Sequence, residues 1–313
     1  MKLINPSIKQ WHCGYTLPEI WSHIARCARV CYQSEPRNNG ETDEEFIKRV
    51  IFRNHSFEEI GKSRELQLKL HLSCLEHGTV YLDIPNSIRT LKFLKVFINN
   101  KHSKTYQHGS LRKNSIAITT NMRVVVENNL IPYITYYLCV PTTYHSLRTT
   151  FNIITDIGIA RELARHRTHS ISEESTRYCN YCKDKFDNQL TFIIPDWIDI
   201  QNCEVNSRNA YKLEITDNSN NNFASKLDAY YFIYELLRIE KTYINLIKSQ
   251  SPQQARQVLP LSTKVQTIHT AFDSDWEEFI KLRADACSGN VHPNMKVIAN
   301  KIKSLMNKEN ATK

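Results

Sequence analysis

The chain has 313 residues, of which 41% are hydrophobic and 23% charged. Both fractions are close to the averages for globular proteins and exclude general disorder and fibrous repeats. The 41 lysines and arginines exceed the 32 acidic residues, and the net charge of +9 favours anionic partners such as nucleotides, phosphorylated cofactors or nucleic acid. Since the charge is spread along the chain and forms no basic tail, nucleic acid is the weakest of these predictions.

The cysteine content indicates the cellular compartment, and the glycine content indicates how a phosphate could be bound. Nine cysteines at irregular spacing, behind an N-terminus without the apolar core of a signal peptide, predict a cytoplasmic protein. No stretch approaches the ~18 apolar residues of a membrane span, so none is expected. The seven glycines form neither G-x-G-x-x-G nor G-x-x-x-x-G-K. Any bound phosphate must therefore be held mostly by side chains.

Capping signals and apolar spacing predict the elements of the N-terminal half. Thr16 with Glu19 and Thr42 with Glu45 each pair an N-cap hydroxyl with a carboxylate three residues on, which is typical of a helix start. Residues 100–118 are polar without helical or strand periodicity, so they are predicted to be an exposed excursion and the most dispensable part of the chain. The other predictions in this half are helices at 16–31, 42–51, 65–75 and about 87–99, and a strand at 79–84 ended by Pro85.

In the C-terminal half, the predicted elements lead into and out of a run of basic residues. Alternation from Leu147 to Ile154 predicts a strand, and Asp156 is expected to cap a helix that places Arg161 and Arg165 one turn apart on one face. The later predictions are a strand at 190–194, a polar loop at 218–222, and helices at about 223–249, from Ser251 with Gln254, and from Ser274 with Glu277. Strands and helices without a regular βαβ alternation predict an α+β (mixed α/β) fold, in one domain over 1–313.

The basic run is Arg165-His166-Arg167, which is followed after seven residues by Ser175. Guanidinium groups are planar and permanently charged, which suits the binding of phosphates and pyrimidine carbonyls. Composition alone favours a plainer interpretation, a helix end at which basic residues complement the dipole and a Ser-rich turn follows.

The string from 165 to 178 resembles the signature of the flavin-dependent thymidylate synthases, an RHR triplet, seven residues and a serine. Here the seven residues are THSISEE, and Ser175 is followed by Thr-Arg-Tyr as in that family. Further segments resemble the family in the same order along the chain: ARVCY at 28–32, HLSCLEH at 71–77, ARQVLP at 255–260 and FIKLR at 279–283.

The resemblance implies reductive methylation of dUMP to dTMP, with 5,10-methylenetetrahydrofolate as carbon donor, NADPH as reductant and bound FAD as the carrier between them. It also implies a mostly antiparallel sheet flanked by helices, and active sites at the subunit interfaces of a homotetramer. The implied catalytic residue is Arg283, which would polarise the uracil ring by favouring its N3 anion. The implied dUMP site is Glu162, Arg165, Glu173, Glu174, Ser175, Thr176, Arg177, Arg256 and Arg283. The implied FAD site is His71, Ser73, Arg165, His166, Arg167, Phe272, Ser274 and Glu278, and no metal is implied.

Several positions depart from the family's pattern. Glu162 stands where many members have Gln, and places a carboxylate near the nucleotide unless Arg161 or Arg165 pairs with it. The stretch aligned with a flavin-contacting Arg reads Phe272-Asp273-Ser274, and GNVHP at 289–293 replaces A-Q-x-E-I. The 87 residues between His77 and Arg165 predict an insertion within about 85–150, holding the polar excursion and a strand-rich region near 130–155.

Two alternatives remain open. The departures at Glu162 and Ser274 are compatible with a related flavin- and folate-dependent pyrimidine nucleotide hydroxymethylase. A basic nucleic-acid-binding protein would instead be colourless and bind oligonucleotides with a steep salt dependence. Cys179 and Cys182 form a single C-x-x-C pair and are interpreted as buried or inert thiols, because a metal site of this kind needs a second pair.

Overall fold

The computed structural model describes residues 1–34, 40–87, 89–110, 113–198, 226–287 and 289–312. Within these ranges the strands are β1 (Lys2–Ile4), β2 (Ser7–Trp11), β3 (Thr79–Pro85), β4 (Lys104–Ser110), β5 (Lys113–Asn121), β6 (Arg148–Asp156), β7 (Ser170–Glu173), β8 (Thr191–Ile193) and β9 (Lys264–Phe272). The α-helices are α1 (Leu17–Tyr32), α2 (Asp43–Val50), α3 (Phe57–Lys62), α4 (Arg64–Lys69), α5 (Leu91–Ile98), α6 (Met122–Glu127), α7 (Ile131–Ile134), α8 (Ile157–Leu163), α9 (Lys226–Leu246), α10 (Pro252–Ala255), α11 (Asp273–Arg283) and α12 (Pro293–Thr312). Short 3-10 helices span Leu72–His77, Asp184–Phe186 and Arg256–Val258.

The largest sheet has the strand order β2-β6-β9-β7, and every neighbouring pair in it is antiparallel. On one face, Phe151 and Ile153 of β6 pack in a core with Trp276 of α11 and Ile298 of α12. On the other face, Ile268 of β9 is buried against α1. The prediction of an α+β fold with a mostly antiparallel sheet between helices is confirmed.

A second sheet, in the order β3-β5-β4, is also antiparallel and lies largely within the predicted insertion. Leu94 and Phe97 of α5 and Ile118 of β5 are completely buried in the same core as Ile24 of α1. The insertion is therefore packed into the N-terminal core. β1 and β8 form a separate parallel pair.

The prediction of an exposed excursion at 100–118 is wrong, because this segment pairs as strands β4 and β5. Only β5 carries a marked apolar signal, with Ile116, Ala117 and Ile118 buried. β4 is the edge strand of its sheet, and edge strands are commonly rich in polar and charged residues. Such a strand has no apolar period to detect. The region near 130–155 is also less strand-rich than predicted, since it begins with α7 and only later forms β6.

The predicted helix starts at Thr42 and Asp156 are confirmed. The Thr42 hydroxyl accepts a hydrogen bond from Glu45 N at 3.2 Å, and the Asp156 carboxylate accepts one from Ile159 N at 2.8 Å. The predicted polar loop at 218–222 and the residues before 226 lie outside the described ranges. No helix in the part of the chain that the structure describes is both long and apolar enough to cross a membrane.

Three local predictions near helix ends need correction. The helix predicted at 65–75 divides into α4 and the 3-10 helix Leu72–His77, because Leu70 adopts an extended conformation between them. Helix α11 begins one residue before Ser274, with Phe272 at the N-cap position, so Ser274 is not its cap. Helix α8 ends at Leu163, which leaves Arg165 in the following turn and not on the helical face of Arg161.

We expect Phe97→Ala to lower the free energy of unfolding by about 3–5 kcal/mol, since it removes a completely buried ring from the core shared with α1. Ile98→Ala on the same helix is the matched control, because Ile98 is 51% exposed and its loss should change stability by less than about 0.5 kcal/mol. Urea unfolding followed by circular dichroism measures both values. Equal effects of the two substitutions would show that the insertion does not share the core.

Candidate functional site

The RHR run lies in the turn between α8 and β7, beside the last residue of α11. Arg283 donates a hydrogen bond from Nε to Nε2 of His166 at 3.2 Å. The Arg283 Nη1 atom lies 3.5 Å from Oε2 of Glu162. The structure therefore brings Arg283 together with two residues of the predicted sites that lie more than 100 positions earlier in the sequence. The cation paired with Glu162 is Arg283, and the expectation of Arg161 or Arg165 in that role needs correction.

His166 is held in a defined neutral form. Burial, together with the positive charge of Arg283, lowers the pKa of His166 to about 4. The ring is therefore uncharged at neutral pH, and because Nε2 accepts from Arg283 its proton must lie on Nδ1. A neutral acceptor at this position orients the guanidinium without adding a second positive charge.

Two further histidines continue inward from His166. The rings of His166 and His169 stack with their centroids 5.7 Å apart, and Nδ1 of His169 lies 3.3 Å from Nδ1 of His269 on β9. One of these Nδ1 atoms must donate and the other accept, so the two rings are opposite tautomers. Burial lowers the pKa of His169 to about 3 and that of His269 well below its ordinary range. Sequence reasoning missed both rings as parts of the site, because neither the single His169 before β7 nor the single His269 within β9 stands in a recognisable pattern.

The segment Glu173–Arg177 meets Arg256 from the 3-10 helix that follows α10. Arg256 donates a hydrogen bond from Nη1 to the Thr176 hydroxyl at 3.1 Å. The backbone of Ser175 is anchored by a hydrogen bond from its N–H to the Cys31 carbonyl at 2.9 Å. This arrangement places a guanidinium and a hydroxyl side by side at the surface, which is a chemistry suited to a phosphate monoester.

The two adjacent glutamates of this segment face different ways. Glu174 is buried, where its carboxylate lies 2.6 Å from Lys264 Nζ and accepts a hydrogen bond from the Tyr181 hydroxyl at 3.0 Å. Its contacts fix the loop from the inside. The Glu173 side chain is exposed at the end of β7. Desolvation by neighbouring protein atoms and the charge of Glu174 raise its pKa, and the charge of Arg161 opposes this shift.

A cavity of about 320 Å³ lies between the start of α11, the RHR turn and the insertion. Arg167 and Phe272, both predicted to contact FAD, line it. Ser274 lies beside it, since its hydroxyl accepts a hydrogen bond at 2.6 Å from Lys104, another lining residue. The cationic and aromatic side chains fit a cofactor with a diphosphate and flat rings.

The remaining residues of the predicted FAD site lie elsewhere on the protomer. His71 and Ser73 are exposed on or beside the 3-10 helix Leu72–His77, outside the lining of this cavity. Glu278 is exposed on α11 and lies 3.3 Å from Lys281. Arg165 and Arg177 are exposed on the turns before and after β7. One protomer thus brings some of the predicted contacts together and leaves others on its surface.

Of the two cysteines that follow Arg177, only the first is fully buried. Cys179 is buried, and desolvation raises the pKa of its thiol to about 11, whereas Cys182 is half-buried. Among the residues that the structure describes, no group of three or more His, Cys, Asp or Glu side chains is placed to hold a metal ion.

The buried histidines predict a pH dependence of stability. The pKa of His169 is about 3 in the folded protein against an ordinary 6.5, so the unfolded chain binds a proton that the folded chain excludes between these values. The free energy of unfolding should rise with pH through this window and level off above it. We expect His169→Asn to reduce the slope between pH 4 and 5.5 by about 1.4 kcal/mol per pH unit, measured by urea unfolding at several pH values.

The matched control for this slope is His55→Asn, because His55 is a surface residue whose side chain is 39% exposed. It should leave the slope unchanged. A slope that is the same in wild type and His169→Asn would mean that His169 titrates alike in the folded and unfolded chains.

A comparison with protein families agrees with the sequence motifs. Residues 95–310 match the Thy1 family, described as thymidylate synthase complementing protein. Among solved structures, the UMP/dUMP methylase PolB from Streptomyces cacaoi bound with 5-Br UMP is 24% identical, with a TM-score of 0.37 over 51% of this chain and 69% of that chain. The same methylase bound with 5-Br dUMP is 23% identical, with a TM-score of 0.37 over 51% of this chain and 66% of that chain. A comparison with curated proteins found no match. Because the family match spans more than half of its length, the chain belongs to the Thy1 family, the flavin-dependent thymidylate synthases.

Proposed function

We propose that this protein converts dUMP to dTMP, with 5,10-methylenetetrahydrofolate as carbon donor, NADPH as reductant and FAD as bound cofactor. Membership of the family supports the reaction class. The observation that carries the proposal is the contact of Arg283 with His166 and Glu162, because it joins the implied catalytic residue to the RHR motif.

The role proposed for Arg283 is electrostatic. A fixed guanidinium close to the uracil ring favours the form of the base that is deprotonated at N3, which makes the ring more reactive without proton transfer from the arginine. Neutral His166 holds Nε and so sets the direction of the guanidinium plane. The Nη1 atom faces Glu162 at 3.5 Å, a long contact that the uracil edge can replace on binding.

The nucleotide phosphate is proposed to lie against Arg256, Thr176 and Ser175. Arg256 already donates to the Thr176 hydroxyl, so its guanidinium is directed at this loop before any ligand binds. The buried pair of Glu174 with Lys264 supports the loop from beneath and is a positioning contact in this proposal.

The cavity beside the RHR turn is proposed to hold FAD, which supplies the hydride transfer when bound. Arg167 would contact the cofactor's phosphates, and Phe272 would pack against one of its rings. The exposed positions of His71, Ser73 and Arg165 on the protomer are expected if each site is completed by another subunit. We therefore propose a homotetramer with interfacial active sites, and an enzyme that is active as a monomer on size-exclusion chromatography would contradict it.

The reaction is tested by incubating the purified protein with FAD, NADPH, methylenetetrahydrofolate and dUMP, and identifying the product by mass. We expect dTMP and a yellow preparation with flavin absorbance. Formation of hydroxymethyl-dUMP would overturn the proposed reaction in favour of the hydroxymethylase. A colourless protein that binds oligonucleotides with a steep salt dependence would overturn the enzyme altogether.

Arg283→Ala is expected to retain flavin and to lose roughly 10²–10³-fold in kcat, because the guanidinium is proposed to act on the uracil ring and not on the cofactor. Flavin absorbance of the purified variant and steady-state dTMP formation measure the two effects. Arg238→Ala is the matched control, since Arg238 is a surface residue of α9 paired only with the neighbouring Glu235 among described residues. Loss of flavin from Arg283→Ala would contradict the proposed role, since it would show that Arg283 contacts the cofactor.

A further inference from the structure

The cavity beside the RHR turn has a wall that the family motifs do not supply. Lys101, His102 and Lys104, from the loop before β4 and from β4 itself, line the cavity together with Arg167. All three belong to the predicted insertion. The polar edge strand β4 therefore also forms one side of this cavity.

Lys104 reaches across this space to the start of α11. Its Nζ donates a hydrogen bond to the Ser274 hydroxyl at 2.6 Å and lies 4.4 Å from the centroid of the Phe272 ring. The run Phe272-Asp273-Ser274 has no cation of its own. The insertion thus delivers a positive charge to a position that the local sequence of α11 leaves without one.

Arg148, the first residue of β6, lines the same cavity as Lys104. Its guanidinium is held in place by hydrogen bonds to the Thr79 hydroxyl at 3.2 Å and the Glu76 carbonyl at 3.0 Å. No carboxylate among the described residues forms an ion pair with it, and desolvation lowers its pKa. The charges of Glu76 and Asp275 offset this desolvation only in part, and an anionic ligand would offset it further.

The charges of the lining favour an anion. Lys101, Lys104, Arg148 and Arg167 face the cavity together with the acidic Glu76 and Asp275. Glu76 is already paired with Arg123 at 2.6 Å, which neutralises much of its effect. The balance is positive, and it is concentrated on the wall that the insertion and β6 provide.

We infer that Lys104, supported by Arg148, binds the diphosphate of the dinucleotide cofactor. The identity of that ligand rests on the proposed function, whereas the diphosphate chemistry follows from the cations. Lys104 exchanges the neutral Ser274 hydroxyl for a phosphate oxygen, and Arg148, held by Thr79 and Glu76, remains in the same cavity as a second positive charge. The insertion is then part of the cofactor site.

The test measures equilibrium binding and does not depend on turnover. Dissociation constants for FAD are measured by flavin fluorescence, and inorganic pyrophosphate is titrated as a competitor. We expect Lys104→Met to weaken FAD and pyrophosphate alike by roughly tenfold, and Lys104→Arg to restore both within about threefold, because the charge is the group that binds. The dependence of FAD affinity on salt concentration should also become shallower in Lys104→Met.

Lys62→Met is the matched control, because Lys62 is a surface lysine 66% exposed on α3, and it should bind both ligands as wild type does. FAD affinity in Lys104→Met within twofold of wild type would overturn the inference while leaving the proposed function intact. Weakened FAD with unchanged pyrophosphate would also overturn it, since the lysine would then act through packing. A wild-type protein that binds neither ligand would overturn both.

Discussion

The pairing of β6 with β9 positions two parts of the candidate site relative to each other. The two strands are in register over nine positions, from Arg148 opposite Phe272 to Asp156 opposite Lys264. At about 3.4 Å per residue these ends are about 27 Å apart. One end supplies Arg148 and Phe272 to the cationic cavity, and the other supplies Lys264 to the buried pair beneath the Ser175 loop. The ladder therefore sets the spacing between the proposed cofactor and nucleotide sites.

A buried polar network holds that ladder in one register. The hydroxyls of Thr150 on β6 and Thr270 on β9 are 2.7 Å apart, and His77 bonds both to Thr270 at 2.8 Å and to Ser172 of β7 at 3.0 Å. A shift by one residue would turn these groups to the other face and leave them unpaired in the core, at a loss of about 1–3 kcal/mol each. These polar contacts therefore add to the register specificity that the buried apolar side chains of the sheet already give.

The sequence predicts those parts of the structure that depend on neighbouring residues. Capping at Thr42 and Asp156 is local, so both helix starts are recovered. The strand β6 is also recovered from its own residue types, although it is buried on both faces and not on alternate residues. The contacts of the site depend on residues brought together by the fold: His166 and Arg283 are 117 positions apart, and Lys104 and Ser274 are 170 apart. The family resemblance predicted His166 and Arg283 individually as site residues. Only the structure shows the hydrogen bond between them. The second was missed because a polar edge strand has no periodic signal.

The insertion changes how the departure at Phe272–Ser274 should be understood. In the sequence alone, this departure removes the positive charge of an Arg that contacts the flavin in the family. In three dimensions Lys104 stands 2.6 Å from the Ser274 hydroxyl, on a strand whose neighbour β5 is anchored by buried Ile118. Because that anchoring places β4 within reach of α11, a cation can be supplied from a segment more than 160 residues away in sequence. The same packing accounts for the extra length before the RHR motif, since a strand can present a lysine at a fixed position only if a hydrophobic core holds the strand. The proposed cofactor contact thus depends on the insertion's core.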